Sequence, residues 1–183
     1  RMCGKQAPPP SSGDMKDARK WWAGLSEKWR CALQEAASLD SEEALSEPSA
    51  LELQRILSVE RVVQNYQGFS SLEAVRPLTK LKVLLVRGSG KVDTIDALRE
   101  LTSLEQLDIG ECRVIDLSPL AGLQQLRELA IDSVGVTDLA VLASLVNLEK
   151  LSITGIPATT LRGLEGLTKL RELNANSSHV RDL

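Results

Sequence analysis

The sequence predicts an α/β solenoid: short parallel β-strands on a concave face, short helical turns on the convex face, and an N-terminal α-helical cap. The first observation is an L-x-x-L-x-x-L-x-apolar motif that recurs every 22 residues, at Leu101, Leu123, Leu145 and Leu167. Related segments begin at Leu78 and, more degenerate, at Ile56. The second observation is a segment with helical spacing of apolar residues before the repeats. A fixed period of this length indicates about six stacked units.

Composition divides the chain into three parts. Residues 1–14 contain three consecutive prolines with small polar residues, which is typical of an extended or disordered linker. Residues 15–55 are predicted as the helical cap, and residues 56–183 as the repeats, the last of them incomplete. With 183 residues, 43% hydrophobic and 3% aromatic, the chain fits one elongated domain without room for a separate enzymatic domain. Because the last repeat stops without a cap, we expect a fragment of a longer protein.

The cap is predicted from apolar residues that recur at spacings of three and four: Ala18, Trp22, Leu25, Trp29, Leu33 and Ala36. Gly24 interrupts this helical stripe, and Ser26 restarts it as an N-cap. Ser49 and Glu52 form a capping box that begins a further helix through Leu57. An aromatic binding platform of Trp21, Trp22 and Trp29 is the alternative to packing in the cap.

Each repeat is numbered from its first leucine, and positions one, four, seven and nine are predicted to point inward. In one repeat these positions are Leu101, Leu104, Leu107 and Ile109. The alternation at positions seven and nine indicates a short strand. The second half continues with apolar residues spaced by three, as in Val114, Leu117 and Leu120, which suits a turn of helix on the convex side.

The closing segment Asp116-Leu117-Ser118-Pro119-Leu120 resembles the leucine-rich repeat family, in detail its short bacterial, internalin-like subtype. Asp138-Leu139 and Asp182-Leu183 match the same consensus in part. The resemblance implies the solenoid fold and binding of proteins, on cell surfaces or within longer chains. The family's buried asparagine is replaced at position twelve by Gln67, Cys112, Val134, Ile156 and Ser178. Other groups or water must therefore satisfy the backbone there.

Charge and motifs argue against several functions. The net charge of −3 and pI of about 5.3 argue against nucleic acid as a partner, and no apolar run has the length of a membrane span. The segment 88–91 is not a phosphate loop, because Leu85 and Val92 stand where glycine and Ser or Thr are required. The single histidine, His179, has no metal or triad partners. We therefore predict no enzymatic activity, no catalytic or metal-binding residues and no cofactor.

Cysteine usage leaves the compartment open. Cys112 at position twelve is predicted to be a buried structural thiol. Cys3 before the linker suggests a lipid anchor, although Met2 stands where a lipobox needs a small residue. A disulfide between Cys3 and Cys31 is an open alternative. Secretion or display on a cell surface and a cytoplasmic location all stay open.

Charges alternate in sign at the outward position five: Glu60, Lys82, Glu105, Arg127, Glu149 and Arg171. Equal positions of neighbouring strands lie about 4.8 Å apart, so this ladder is predicted to neutralise itself and to fix the register. A surface that binds a charged ligand is the alternative.

Positions eight and ten carry small residues that should leave a groove on the concave face. An apolar patch beside Arg87 and an acidic centre at Asp108, Glu111 and Asp132 are typical of a protein contact, unless the cap covers Val83 and Leu85. The candidate contacts are Tyr66, Val83, Leu85, Arg87, Asp108, Asp132, Thr154 and Asn174. They predict a non-catalytic module that binds an unidentified protein or peptide. The alternative is a structural spacer or a homodimer through the C-terminal edge, 171–175.

Overall fold

The computed structural model describes residues 15–39 and 47–179. The predicted linker, Cys3 and the Asp182-Leu183 match lie outside these residues. Three α-helices come first: α1 (Met15–Ala23), α2 (Glu27–Ala36) and α3 (Ala50–Leu57). Six strands follow: β1 (Arg61–Val63), β2 (Val83–Leu85), β3 (Gln106–Asp108), β4 (Glu128–Ala130), β5 (Lys150–Ser152) and β6 (Glu172–Asn174). Short 3-10 helices lie between them at Glu73–Val75, Asp96–Leu98, Ser118–Leu120 and Ala140–Ser144.

The six strands form one parallel sheet in the order β1 to β6, so each strand pairs with the strand of the next repeat. The register keeps equal repeat positions side by side. Position seven forms one continuous inward row: Val62, Leu84, Leu107, Leu129, Leu151 and Leu173. The architecture confirms the predicted α/β solenoid with an N-terminal helical cap.

The core lies between the sheet and the row of 3-10 helices. Positions one, four, seven and nine of the Leu101 repeat are all buried, as the period predicts. The convex residues Val114, Leu117 and Leu120 are buried as well, and the 3-10 helix Ser118–Leu120 begins next to Asp116. The Asp116 carboxylate accepts hydrogen bonds from the Ser118 amide and hydroxyl, which lower its pKa. Asp116 therefore closes an Asx-turn immediately before this 3-10 helix.

The cap helices begin where their capping residues predict. Ser26 is the N-cap of α2, after the break that contains Gly24. Both hydrogen bonds of the capping box form at α3: the Ser49 amide donates to Glu52 Oε2 at 2.7 Å, and the Glu52 amide donates to Ser49 Oγ at 3.3 Å. These bonds lower the pKa of Glu52. Helix α2 packs against β1 and covers the first strand of the sheet. The exact domain boundaries stay a prediction.

Two of the cap tryptophans are part of the core. Trp22 and Trp29 are buried, and the Trp29 ring stacks on Phe69 with centroids 4.0 Å apart. The Trp29 indole N–H donates to the Ser71 carbonyl at 2.9 Å, so its polar atom is satisfied. Trp21 is half-buried and packs against the same core. The tryptophans hold the cap to the first repeat, and they do not form an aromatic platform.

The backbone continues its ladder without the asparagine column of the resembled family. The Arg113 amide donates to the Val92 carbonyl at 2.8 Å, and the Gly135 amide donates to the Val114 carbonyl at 3.0 Å. These two bonds join the repeats that begin at Leu101 and Leu123 to the repeats before them, at the turn onto the convex side. Cys112 is buried at position twelve as predicted, and burial raises the pKa of its thiol to about 11.

Candidate functional site

The concave face carries a groove of about 640 Å³ that runs across β2 to β6. Its side walls and floor come mainly from the outward positions six and eight, which the strand register brings into two parallel rows. Small side chains at position eight, Ala130 and Ser152, leave the space. The predicted groove therefore exists, and Leu85, Asp108 and Asn174 of the candidate residues line it.

Each strand ends in a left-handed turn at position eleven. The residues there have φ between 53° and 76°: Tyr66, Gly88, Glu111, Ser133, Gly155 and Ser177. The amides of the first five donate to the position-ten carbonyl of the next repeat, as in Glu111 to Asp132 at 2.8 Å. The left-handed conformation costs free energy for a residue other than glycine. Because it recurs at position eleven in six repeats, we infer that the repeat geometry imposes it. The turn presents the side chains of positions ten and eleven at one edge of the groove.

Arg87 is the centre of an ion-pair cluster at that edge. Its Nε donates to Asp108 Oδ2 at 3.0 Å, one guanidinium N–H donates to Glu111 Oε1 at 3.3 Å, and the other donates to Asp132 Oδ2. The guanidinium crosses Gly110 closely, because a Cβ there would lie 2.6 Å from Arg87 Cζ. Arg87 and the predicted acidic centre thus form one ion-pair cluster, in which one guanidinium contacts three carboxylates.

Asp132 is also held by the repeat that follows it. The Ser152 hydroxyl donates to Asp132 Oδ1 at 2.5 Å and the Thr154 amide donates to the same oxygen at 2.9 Å. Burial opposes ionisation of Asp132, but the bonds from Ser152 and Arg87 prevail and lower its pKa. Likewise burial opposes the charge of Arg87, and its bonds to Asp132 and Asp108 raise its pKa. Both groups stay charged near neutral pH.

Tyr66, at repeat position eleven, reaches a carboxylate two repeats away, as Arg87 does from position ten. Its ring lies over Gly88, where a Cβ would come within 2.9 Å of Tyr66 Cε1. Its hydroxyl donates to Glu111 Oε1 at 3.3 Å, two repeats away, and the residue is 65% exposed. Glycines at neighbouring positions in consecutive repeats therefore let two long side chains reach across a repeat.

The remaining candidate residues are distributed along the face. Val83 and Leu85 are half-buried on β2, and α2 packs against β1 rather than across the groove. Thr154 is half-buried, and its backbone amide donates a hydrogen bond to the Asp132 carboxylate. The Asn174 side chain accepts a hydrogen bond from the Asn176 amide at 3.3 Å. The structure thus brings Tyr66, Arg87, Asp108 and Asp132 together and leaves Asn174 at the far end. Whether these residues contact a partner stays a prediction.

The charge ladder at position five is partly visible as ion pairs. Lys82 Nζ lies 2.8 Å from Glu60 Oε2, and Arg127 lies 3.3 Å from Glu149. Position six adds two contacts that the sequence analysis missed: the Gln106 amide donates to Glu128 at 2.8 Å, and Lys150 lies 3.3 Å from Glu172. Comparing position six across the repeats, as was done for position five, would have predicted these two contacts.

Within residues 15–39 and 47–179, no helix combines the length and apolar character needed to cross a bilayer. In the same part of the chain, no group of His, Cys, Asp or Glu is arranged to hold a metal ion. Segment 88–91 is a turn after β2, in which the Val92 amide donates to the Ser89 carbonyl at 2.9 Å. His179 lies with Nδ1 3.4 Å from the Ile156 carbonyl.

The parallel sheet, its 22-residue register and the 3-10 turns define a leucine-rich repeat fold, and solved structures show the same fold. An internalin (inlF) from Listeria monocytogenes superposes with a TM-score of 0.77 at 22% identity over 97% of this chain. Internalin C2 from the same bacterium superposes with a TM-score of 0.60 at 16% identity. This match covers 85% of the present chain and 86% of the internalin C2 chain. A leucine-rich repeat protein from Leptospira interrogans gives 0.58 at 18% identity over 72% of this chain.

These likenesses confirm the predicted internalin-like fold. The chain spans 48% of the inlF chain and 38% of the Leptospira chain. No protein-family model matches the sequence, and no curated protein sequence matches it.

Proposed function

We propose that this chain is a non-catalytic interaction module that binds a protein or peptide in the groove of its concave face. The observation that carries the proposal is the groove itself, about 640 Å³ in volume and lined by side chains of β2 to β6. The backbone of these strands is engaged in the ladder, so a ligand there meets side chains presented in fixed rows. Such a preorganised surface loses little conformational entropy when a partner binds.

The charges around the groove support binding of an extended polypeptide. Salt bridges within the chain already pair Lys82, Arg127 and Lys150 with carboxylates of neighbouring repeats. A partner therefore meets ion-paired charges and small polar residues, with carboxylates in excess over cations along β3 to β6. Such a surface offers many hydrogen-bonding groups to a peptide and favours specificity over attraction at long range.

The proposal is tested by a substitution that fills the groove with a large side chain. Ala130 lies in the middle of the groove, so Ala130→Trp should block it without touching the inward row. Ala121 is an exposed alanine at the end of a convex 3-10 helix, and Ala121→Trp is the matched control. Random peptides selected by phage display on the wild-type chain should lose binding to the Ala130 variant and retain binding to the Ala121 variant. Equal binding to both variants would contradict the proposal.

Self-assembly through β6 is the second candidate function. Leu173 occupies the inward position seven and is 43% exposed, whereas Leu151 at the same position of the preceding repeat is 2% exposed. An apolar side chain beside an exposed strand favours pairing with a second copy. Light scattering over a wide concentration range tests this: association that Leu173→Asp removes supports it, and a constant monomer mass contradicts it.

A further inference from the structure

The first two strands carry a small apolar patch on the concave face. Val63 and Leu85 are register partners at position eight, and Val83 lies at position six of β2. Val63 is 41% exposed, and both residues of β2 are half-buried. Among the six described strands, aliphatic side chains occupy both positions six and eight only on β2. Position six holds Arg61 on β1, and Gln106, Glu128, Lys150 and Glu172 on β3 to β6. Neighbouring strands lie about 4.8 Å apart, so the three side chains form one continuous surface.

Arg61 completes this patch as the register partner of Val83. Its side chain is exposed, and among residues 15–39 and 47–179 it makes no ion pair. The two other cations at the concave positions of these repeats are already paired: Lys82 with Glu60, and Arg87 with carboxylates of later repeats. The patch therefore has one available positive charge beside an apolar surface.

The rest of the concave face has the opposite balance. In the four later repeats, carboxylates outnumber cations at positions five, six, eight, ten and eleven. The carboxylates are Glu105, Asp108, Glu111, Glu128, Asp132, Glu149 and Glu172, and the cations are Arg127, Lys150 and Arg171. A partner's carboxylate would consequently be repelled along β3 to β6 and attracted to the first strand.

We propose that the patch of Arg61, Val63, Val83 and Leu85 binds a protein segment that presents an apolar side chain next to a carboxylate. The apolar side chain rests on the three aliphatic residues, and the carboxylate forms a bidentate pair with the guanidinium of Arg61. This inference rests on the proposed function and specifies the partner's chemistry at the patch, which adjoins the N-terminal end of the groove through Leu85.

The test uses random linear peptides displayed on phage and selected on the immobilised wild-type chain. We expect selected peptides to share an aromatic or aliphatic residue adjacent to Asp or Glu. Arg61→Glu should weaken their binding, measured by fluorescence polarisation, by about tenfold or more. Arg61→Lys should retain most of it, and Val63→Thr should weaken it several-fold. Arg113→Glu is the matched control, since Arg113 is an exposed cation that does not line the groove and makes no ion pair in the described residues, and it should leave binding unchanged.

Three outcomes overturn the inference in different ways. If peptides lose binding with Ala130→Trp but not with Arg61→Glu, the groove binds peptides and only the assignment of the patch is wrong. If no selected peptide responds to either variant, the proposed function fails with it. Light scattering separates a third outcome, since association of the chain that Val63→Asp abolishes would identify a second copy as the occupant and would also overturn the inference. Thermal unfolding confirms that every variant is folded.

Discussion

The Arg87 guanidinium crosses Gly110 and donates to Asp132, whose strand lies two places further along the sheet. The link joins residues 45 positions apart in sequence and bypasses the repeat between them. Most contacts in a solenoid are made between nearest neighbours. This cluster therefore couples three consecutive repeats at the edge of the groove.

Gly110→Ala should destabilise the chain by about 1 to 3 kcal/mol, because the new methyl group would displace the guanidinium from its carboxylates. Gly110 does not have a left-handed backbone, so alanine is otherwise acceptable there. Urea unfolding of Gly110→Ala, Arg87→Met and the double variant measures the coupling. In the Arg87→Met background the alanine should be close to neutral. Additive effects would show that the glycine serves another purpose.

Leu129→Ala should cost about 2 to 5 kcal/mol, since this side chain is 2% exposed in the inward row and its loss leaves a cavity. Leu173→Ala changes the same repeat position where the side chain is 43% exposed, and its cost should be clearly smaller. Chemical denaturation of both variants makes the comparison. Similar losses would mean that the end of the sheet is as well packed as its middle.

The stability of the chain should fall in acid partly through Asp132. Its folded-state pKa is below the usual value, so ionisation contributes stability above the ordinary aspartate pKa, and this contribution is lost as the pH falls through the folded-state value. Asp132→Asn should therefore flatten the decrease in unfolding free energy between neutral pH and about pH 3. Asp138→Asn, an exposed aspartate of the same repeat, is the control. A slope unchanged by Asp132→Asn would refute this.

Thiol reagents at pH 8 should modify Cys31 quickly and Cys112 only after unfolding. Cys31 is exposed, whereas burial raises the pKa of Cys112 to about 11 and keeps it protonated and inaccessible. Mass spectrometry of peptides after brief alkylation assigns each site. Rapid modification of Cys112 in the folded chain would indicate that the repeat opens locally.

The periodic part of the fold could be predicted from sequence because burial repeats with the motif. Positions one, four, seven and nine, the 3-10 turns and the caps at Ser26 and Ser49 follow from apolar spacing and capping chemistry. The ion-pair cluster could not be predicted in the same way. Arg87 and Asp132 were recognised as neighbours of a groove, but their contact depends on the length of the arginine side chain and on Gly110 between them.

The left-handed turns were missed for a related reason. Glycine occupies position eleven only at Gly88 and Gly155, while Tyr66, Glu111 and Ser133 adopt the same conformation under the constraint of the ladder. A propensity argument that treats each residue alone assigns these three to ordinary backbone. Glycine occupies position eleven in two of the six repeats. Aligning the repeats and comparing this position would have identified the turn from that recurrence.

Because the charge at position five alternates in sign, the number of repeats that can be removed without bringing like charges together is even. Deletion of residues 123–144 would bring Glu105 beside Glu149, so two like charges would face each other across neighbouring strands. Deletion of 123–166 would instead bring Glu105 beside Arg171 and preserve the alternation. Repeats gained or lost in pairs keep the ladder neutral at every step. A solenoid of this kind is therefore better suited to changing its length by two units than by one.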